Sequence, residues 1–194
     1  MKKTLIAILA IIMTGCASSD RLSKQEIALI EGQGEVMKIY QIDSREDSLL
    51  LRQPSCDFTI RDLNGEAYKE LARKMVETLK STGSGVGIAG PQVGLNRRVV
   101  VVKRYDKEGY PFEVYPNISI EPATDEKALG PEGCLSVPDH RGQVLRYTKV
   151  NITYTDLETM EPKTETVEGF SAVIFQHECD HLEGVLYIDK CELL

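Results

Sequence analysis

The chain has 194 residues, 42% of them hydrophobic and 27% charged, with 30 acidic residues against 23 basic ones and a formal net charge of −7. That is enough apolar chain to pack a domain of ordinary size. A net negative balance suits phosphate backbones poorly, so nucleic acid is not expected as a partner.

Residues 1 to 15 read as a signal segment. Lys2 and Lys3 open it, and the apolar run Leu5 to Met13 is too short to span a membrane as a mature helix. Met13-Thr14-Gly15-Cys16 resembles the lipobox of bacterial lipoproteins. That resemblance implies cleavage before Cys16, a diacylglycerol on its thiol, and a membrane-anchored protein outside the cytoplasm. Loss of Lys2 and Lys3 would leave 21 basic residues against 30 acidic ones, a net charge of −9. Residues 16 to 48 are polar and weakly patterned and are expected to form the tether, with a single globular domain over 49 to 194.

Within that domain Asn64 to Lys80 is an amphipathic pattern, with Ala67, Leu71, Met75 and Leu79 four apart. Arg98 to Lys103 is a β-branched run and a buried strand. Phe112 to Ile120, Gln143 to Thr155 and Pro162 to Val167 read as further short strands, with a hairpin turn over Asp156 to Glu161. A helix, several strands and a late apolar helix predict an α+β domain, with antiparallel β-sheets packed around a central helix that carries a metal motif.

That motif is Gln176-His177-Glu178-Cys179-Asp180-His181. Two histidines four apart share one helix face and can hold one metal ion, and Glu178 is placed to act as general base on a water beside it. Catalytic sites of this kind use a third protein ligand. Downstream, Tyr187 stands where one common continuation places a histidine. The third ligand is therefore sought upstream. Cys134, between Gly133 and Leu135 in a sharply turning stretch, would complete a Cys134/His177/His181 set with soft donors suited to iron(II), zinc, nickel or cobalt. Gly85, Gly87 and Gly90 satisfy the spacing of a dinucleotide loop, but they follow a helix and run into Pro91, the reverse of that loop's setting. A ledge where main chain approaches a ligand closely fits them better, with the Gln92 amide beside it.

Together, Gly85 to Gln92, Glu132-Gly133-Cys134-Leu135-Ser136 and Gln176 to His181 resemble the three motifs of the peptide deformylases, in the same order. Gly90 departs from the family's usual alanine, a change expected to loosen the ledge slightly. The resemblance implies hydrolysis of N-formylmethionyl peptides with one divalent metal ion, iron(II) in many members and zinc or nickel as alternatives. It implies Glu178 as base and Gln92 with the Leu135 N–H as oxyanion donors. Val173 and Ile174 would receive the methionine, Glu132 would stand near the rim, and Gly85, Val86 and Gly87 would pair with the substrate backbone. An export signal on such an enzyme leaves two other readings open, an exported metallo-amidase or peptidase and a non-catalytic metal-binding lipoprotein. Cys179 is expected in the core, Asp180 as an anchor to Arg141 or Arg146, His140 in a solvated loop, and a Cys56–Cys191 disulfide is left open.

Overall fold

The computed structural model describes residues 21–32 and 34–192, so the expected signal segment 1–15 and the lipidation position Cys16 lie outside the described residues. The helices are α1 (Lys24–Gly32), α2 (Arg45–Leu51), α3 (Ile60–Leu63), α4 (Glu66–Ser81) and α5 (Gly169–Leu182). The strands are β1 (Gly87–Ala89), β2 (Val99–Lys103), β3 (Phe112–Pro116), β4 (Ser119–Pro122), β5 (Lys127–Cys134), β6 (Val137–Tyr147), β7 (Lys149–Thr155), β8 (Pro162–Glu168) and β9 (Cys191–Glu192). They form antiparallel sheets in the orders β1-β2-β3, β4-β7-β8 and β5-β6-β9, a mixed α+β arrangement. The helix α5 packs against β1, β2, β4, β6, β7 and β8.

The helix α4 follows from its stripe. Leu71, Met75 and Leu79 are fully buried against Val99 and Val101 of β2, each such burial contributing about 1.5–3 kcal/mol. Lys74, on the polar side of the pattern, is also buried, because its ammonium donates to the Ile30 carbonyl at 2.7 Å. The other face of β2, Val100 and Val102, packs against Phe175 and Ala172 of α5, as alternation along a strand requires.

Two expected strands are each broken in two. Phe112 to Ile120 divides at Asn117, which takes a left-handed φ of 52°, a conformation asparagine tolerates. Its amide in turn bonds both the N–H and the carbonyl of Phe58, at 2.7 and 3.0 Å. Gln143 to Thr155 divides at Thr148, and its first half extends back to Val137 as one arm of a long hairpin with β5. His140 therefore sits in β6 and not in a loop, although it is exposed as expected. The hairpin turn over 156–161 is present between β7 and β8.

The tether expected over 16–48 is folded wherever it is described. Ile30 and Met37 are buried in the core beside α4, and Glu26 pairs with the buried Arg97 at 2.6 Å. The strap after α1 bonds to both upstream motifs: Tyr40 N–H donates to the Gln92 carbonyl at 2.8 Å and Ile42 N–H to the Ser136 carbonyl at 3.0 Å. The Gln41 side chain donates to the Leu135 carbonyl at 3.0 Å. The apolar run Ile27 to Ile30 supplies the burial, and it is too short for its period to stand out in a polar stretch. Cys191 is a free thiol, as are Cys134 and Cys179, so the Cys56–Cys191 disulfide is not formed.

Candidate active site

Three separate elements deliver the motif residues to one place. On α5 the four-residue spacing puts the His177 and His181 rings 5.2 Å apart. Cys134 ends β5, where a bulge between Glu132 and Cys134 lets the strand turn its last side chain inward. Its sulfur lies 3.2 Å from His181 Nε2, and one donor atom from each of Cys134, His177 and His181 falls within 4.8 Å of the others. Bonds of about 2.3 Å to a thiolate and about 2.0–2.1 Å to an imidazole put two ligands of one tetrahedral ion about 3.5 Å apart. The donor set thus fits a single metal ion in size and in softness.

The surroundings differ from donor to donor. Burial would lower the His177 imidazole, but hydrogen bonds to Cys134 and Glu132 outweigh it and raise the ring to about 10. The Ser136 N–H and the Gln92 amide, at 3.4 and 3.6 Å, both point at the Cys134 sulfur. Burial holds His181 well below the usual imidazole range, so it stays neutral, as a ligand must. His177 Nδ1 donates to Glu132 Oε2 at 2.7 Å, which fixes the ring and turns its other nitrogen toward the sulfur. Burial would raise Glu132, but Arg146 and His177 outweigh it and hold the carboxyl down to about 2. Arg146 grips Glu132 through both oxygens, at 2.7 and 3.0 Å, and reaches Asp180 at 2.6 Å. Glu132 therefore lines the cavity but spends its carboxylate on the wall and not on the rim where it was expected. Asp180 anchors to Arg146, and also to Lys190 at 2.6 Å. The Gln176 amide closes the frame by pairing with the Tyr147 N–H and carbonyl at 3.0 and 2.9 Å.

Glu178 is buried beside the donor set, and burial, partly offset by His177, pushes its carboxyl up to about 7. Its Oε2 has no hydrogen-bond partner among the described residues, and neither have His181 Nδ1 and the Tyr187 hydroxyl nearby. A Cβ on Gly87 would stand 2.3 Å from Glu178 Oε1, so the glycine is what leaves room for this carboxylate. Gly85 is equally constrained, by Thr82 and Leu79 at the end of α4. At Gly90 a Cβ would lie 2.5 Å from the Arg97 carbonyl oxygen and 2.7 Å from that of Leu95. Glycine here lets the turn close tightly, the opposite of the loosening expected from a lost methyl. Gln92 Oε1 accepts the Ala89 N–H at 2.9 Å, which directs its NH2 group toward Cys134 and Ser136.

All of this opens on a cavity of about 690 Å³ lined by Gly85, Val86, Gly87, Gln92, Glu132, Cys134, Leu135, Val173, Ile174, His177 and Glu178. His181 sits behind Cys134 and is fully buried. Every described site residue inferred from the sequence is thus in one cluster. Motif reading had Arg146 as one of two anchors for Asp180 but missed its grip on Glu132, and it missed Gln41 and Tyr187, whose ring stacks on His177 at 5.9 Å. A buried arginine in an alternating strand was the available signal for that grip.

Comparison with known proteins agrees. The family profile described as Polypeptide deformylase matches residues 36–194. Peptide deformylase of Leptospira biflexa is 39% identical over 148 residues, 73% of this chain and 82% of that relative. Peptide deformylase 1 of Vibrio vulnificus is 42% identical over 123 residues, 63% of this chain and 71% of the relative. The Met-Ala-Ser-bound structure of class I type b peptide deformylase from Acinetobacter baumannii superposes with a TM-score of 0.70 at 35% identity, over 80% of this chain and 98% of that one. Its actinonin-bound form gives 0.71 at 34% identity, over 81% and 99%. With the match running from the strap at residue 36 through all three motifs, the chain belongs to the polypeptide deformylase family.

Proposed function

We propose that the protein removes the formyl group from N-formylmethionyl peptides, using one divalent metal ion held by Cys134, His177 and His181 on the α5 side of the cavity. The observation that carries this is the convergence of a three-donor set, a buried carboxylate and an aimed amide on one cavity wall. When bound, the metal supplies Lewis-acid activation of water and of the formyl carbonyl.

The chain's own groups do the rest. Glu178 takes a proton from the attacking water and hands it to the leaving amine, a role for which its buried Oε2, without a partner among the described residues, is free. The Gln92 NH2 group and the Leu135 backbone N–H stabilise the developing oxyanion, each such donor being worth a hundredfold or more in turnover by analogy with other sites. Val173 and Ile174, one helical turn before His177, receive the methionine side chain. Gly85, Val86 and Gly87 run into β1, which among the described residues pairs only with β2, and the substrate adds to this edge as a further strand.

Thiolate and imidazole donors suit iron(II), zinc and nickel alike, and metal analysis of natively expressed protein decides among them. Residues 1–15 and Cys16 are read as a lipoprotein signal and anchor. Palmitate labelling that persists in Cys16→Ser would sink that reading. Turnover of formyl-Met-Ala-Ser by metal-loaded protein, lost in Glu178→Ala, tests the activity. Hydrolysis of the acetyl peptide at an equal rate, or none of the formyl peptide with metal bound stoichiometrically, would overturn it.

A further inference from the structure

The β2–β3 hairpin carries chemistry that the reaction above does not use. Phe170, in the first turn of α5, lines the cavity and is 53% exposed. The Tyr105 ring lies 5.2 Å from it, and the Tyr110 ring lies 5.3 Å from Tyr105. Tyr110 is itself 53% exposed. Three aromatic rings therefore run outward from the cavity mouth as one continuous surface.

Two features show that this surface is built and held. Tyr110 takes a left-handed φ of 50° directly after Gly109 at 76°. For a bulky residue this is a strained conformation, and such strain persists where the surroundings enforce it. The hairpin is also pinned at its base. The buried Arg104 grips both oxygens of Asp106 at 2.8 and 2.6 Å and reaches Glu165 at 3.1 Å. The Asp106 N–H donates to Ser171 of α5 at 3.3 Å, next to Phe170. A rigid aromatic face loses little freedom when a ligand lands on it.

Resting on the deformylase reading, we propose that Phe170, Tyr105 and Tyr110 extend the substrate cleft and bind an aromatic or large apolar side chain of the peptide downstream of the formylmethionine. Distance sets the position. Phe170 precedes His177 by seven residues, about 10 Å along a helix. An extended peptide covers that span in about three residues, so the contact falls on the third to fifth residue of the substrate. The surface is continuous with the cavity, and a strand leaving the β1 edge passes it.

The chain has no tryptophan, so the indole of a substrate peptide reports contact without background. The test places one tryptophan in turn at positions three, four and five of formyl-Met-Ser-Ser-Ser-Ser. At one of them kcat/KM is expected to exceed that of the all-serine peptide by about three- to tenfold, the range of a single aromatic pair. Indole emission of the matching deformylated peptide is expected to shift on binding. Tyr110→Gly removes the ring and relieves the backbone, and it should abolish both the preference and the shift, as should Tyr105→Leu. Equal rates for serine and tryptophan at all three positions would overturn the proposal and leave deformylation standing. A preference that survives both variants would overturn it too. Ring-dependent binding of the deformylated peptide, with no turnover of any formyl peptide, would keep this surface and reject the reaction instead.

Discussion

Along α5 lie two polar clusters, one around the buried Arg104 and one around the buried Glu178, and they are finished to different degrees. Beside Phe175 the Arg104 guanidinium is surrounded by Asp106, Glu165, Glu113 and the Tyr115 hydroxyl, with Lys107 and Tyr154 bonding the same carboxylates. Further along, the cluster of Glu178 and His181 leaves Glu178 Oε2 and His181 Nδ1 without partners among the described residues. An unsatisfied buried polar atom costs about 1–3 kcal/mol, a cost a fold tolerates where a ligand or reactant is to be met. The saturated cluster is scaffolding for the hairpin, and the unsaturated one is where chemistry is expected.

The sharpest way to break this contrast is to remove one charge from each cluster. Glu178→Gln should lower kcat by about 10²–10⁴-fold while metal content and thermal midpoint hold, since no ion pair is lost. A large fall in thermal midpoint would mean that the carboxylate is structural. Arg104→Met should do the reverse, taking the shared cation from Asp106, Glu113 and Glu165, which are partly exposed. Denaturant unfolding is expected to show a loss of about 1.5–3 kcal/mol, with kcat on formyl-Met-Ala-Ser nearly unchanged under conditions where the variant is folded.

Glu132 stands between the two types, a satisfied carboxylate that touches the donor set. Glu132→Gln keeps its size but weakens its grip on His177, and metal affinity should fall about 10- to 100-fold. Competition with a coloured chelator measures this, and unchanged affinity would reduce Glu132 to a partner of Arg146 alone.

The smallest effect is in acid. Arg104 holds Asp106 below the usual carboxylate range. Burial would raise Glu165, but hydrogen bonds from Tyr154 and Arg104 outweigh it and hold it low. With folded values depressed, the unfolded chain takes up protons first as pH falls, so this stabilisation is present above the ordinary carboxylate range and fades below it. The stability gap between the protein and Arg104→Met should therefore narrow from about pH 6 to about pH 2. A constant gap would place the Arg104 contribution in packing.

Some of this was written locally in the chain. The helical repeat alone puts His177 and His181 on one face, and the stripe of Leu71, Met75 and Leu79 fixes how α4 lies. Cys134 and Gln92 were legible as residue types within short motifs, because the bulge and the tight turn that aim them span only a few residues. The rest depends on register between distant segments. Arg146 meets Glu132 only because β5 and β6 pair as they do, and it meets Asp180 only because α5 crosses that hairpin. Gly87 needs to be glycine because Glu178, ninety-one positions later, fills the place of its side chain. The strap of residues 36–42 looked like tether since its bonds to Gln92, Leu135 and Ser136 are largely made by backbone, and backbone bonding leaves no mark on residue type. Sequence period reports what happens within an element, whereas pairing across elements is set by the packed core, and this site is built mostly of such pairs.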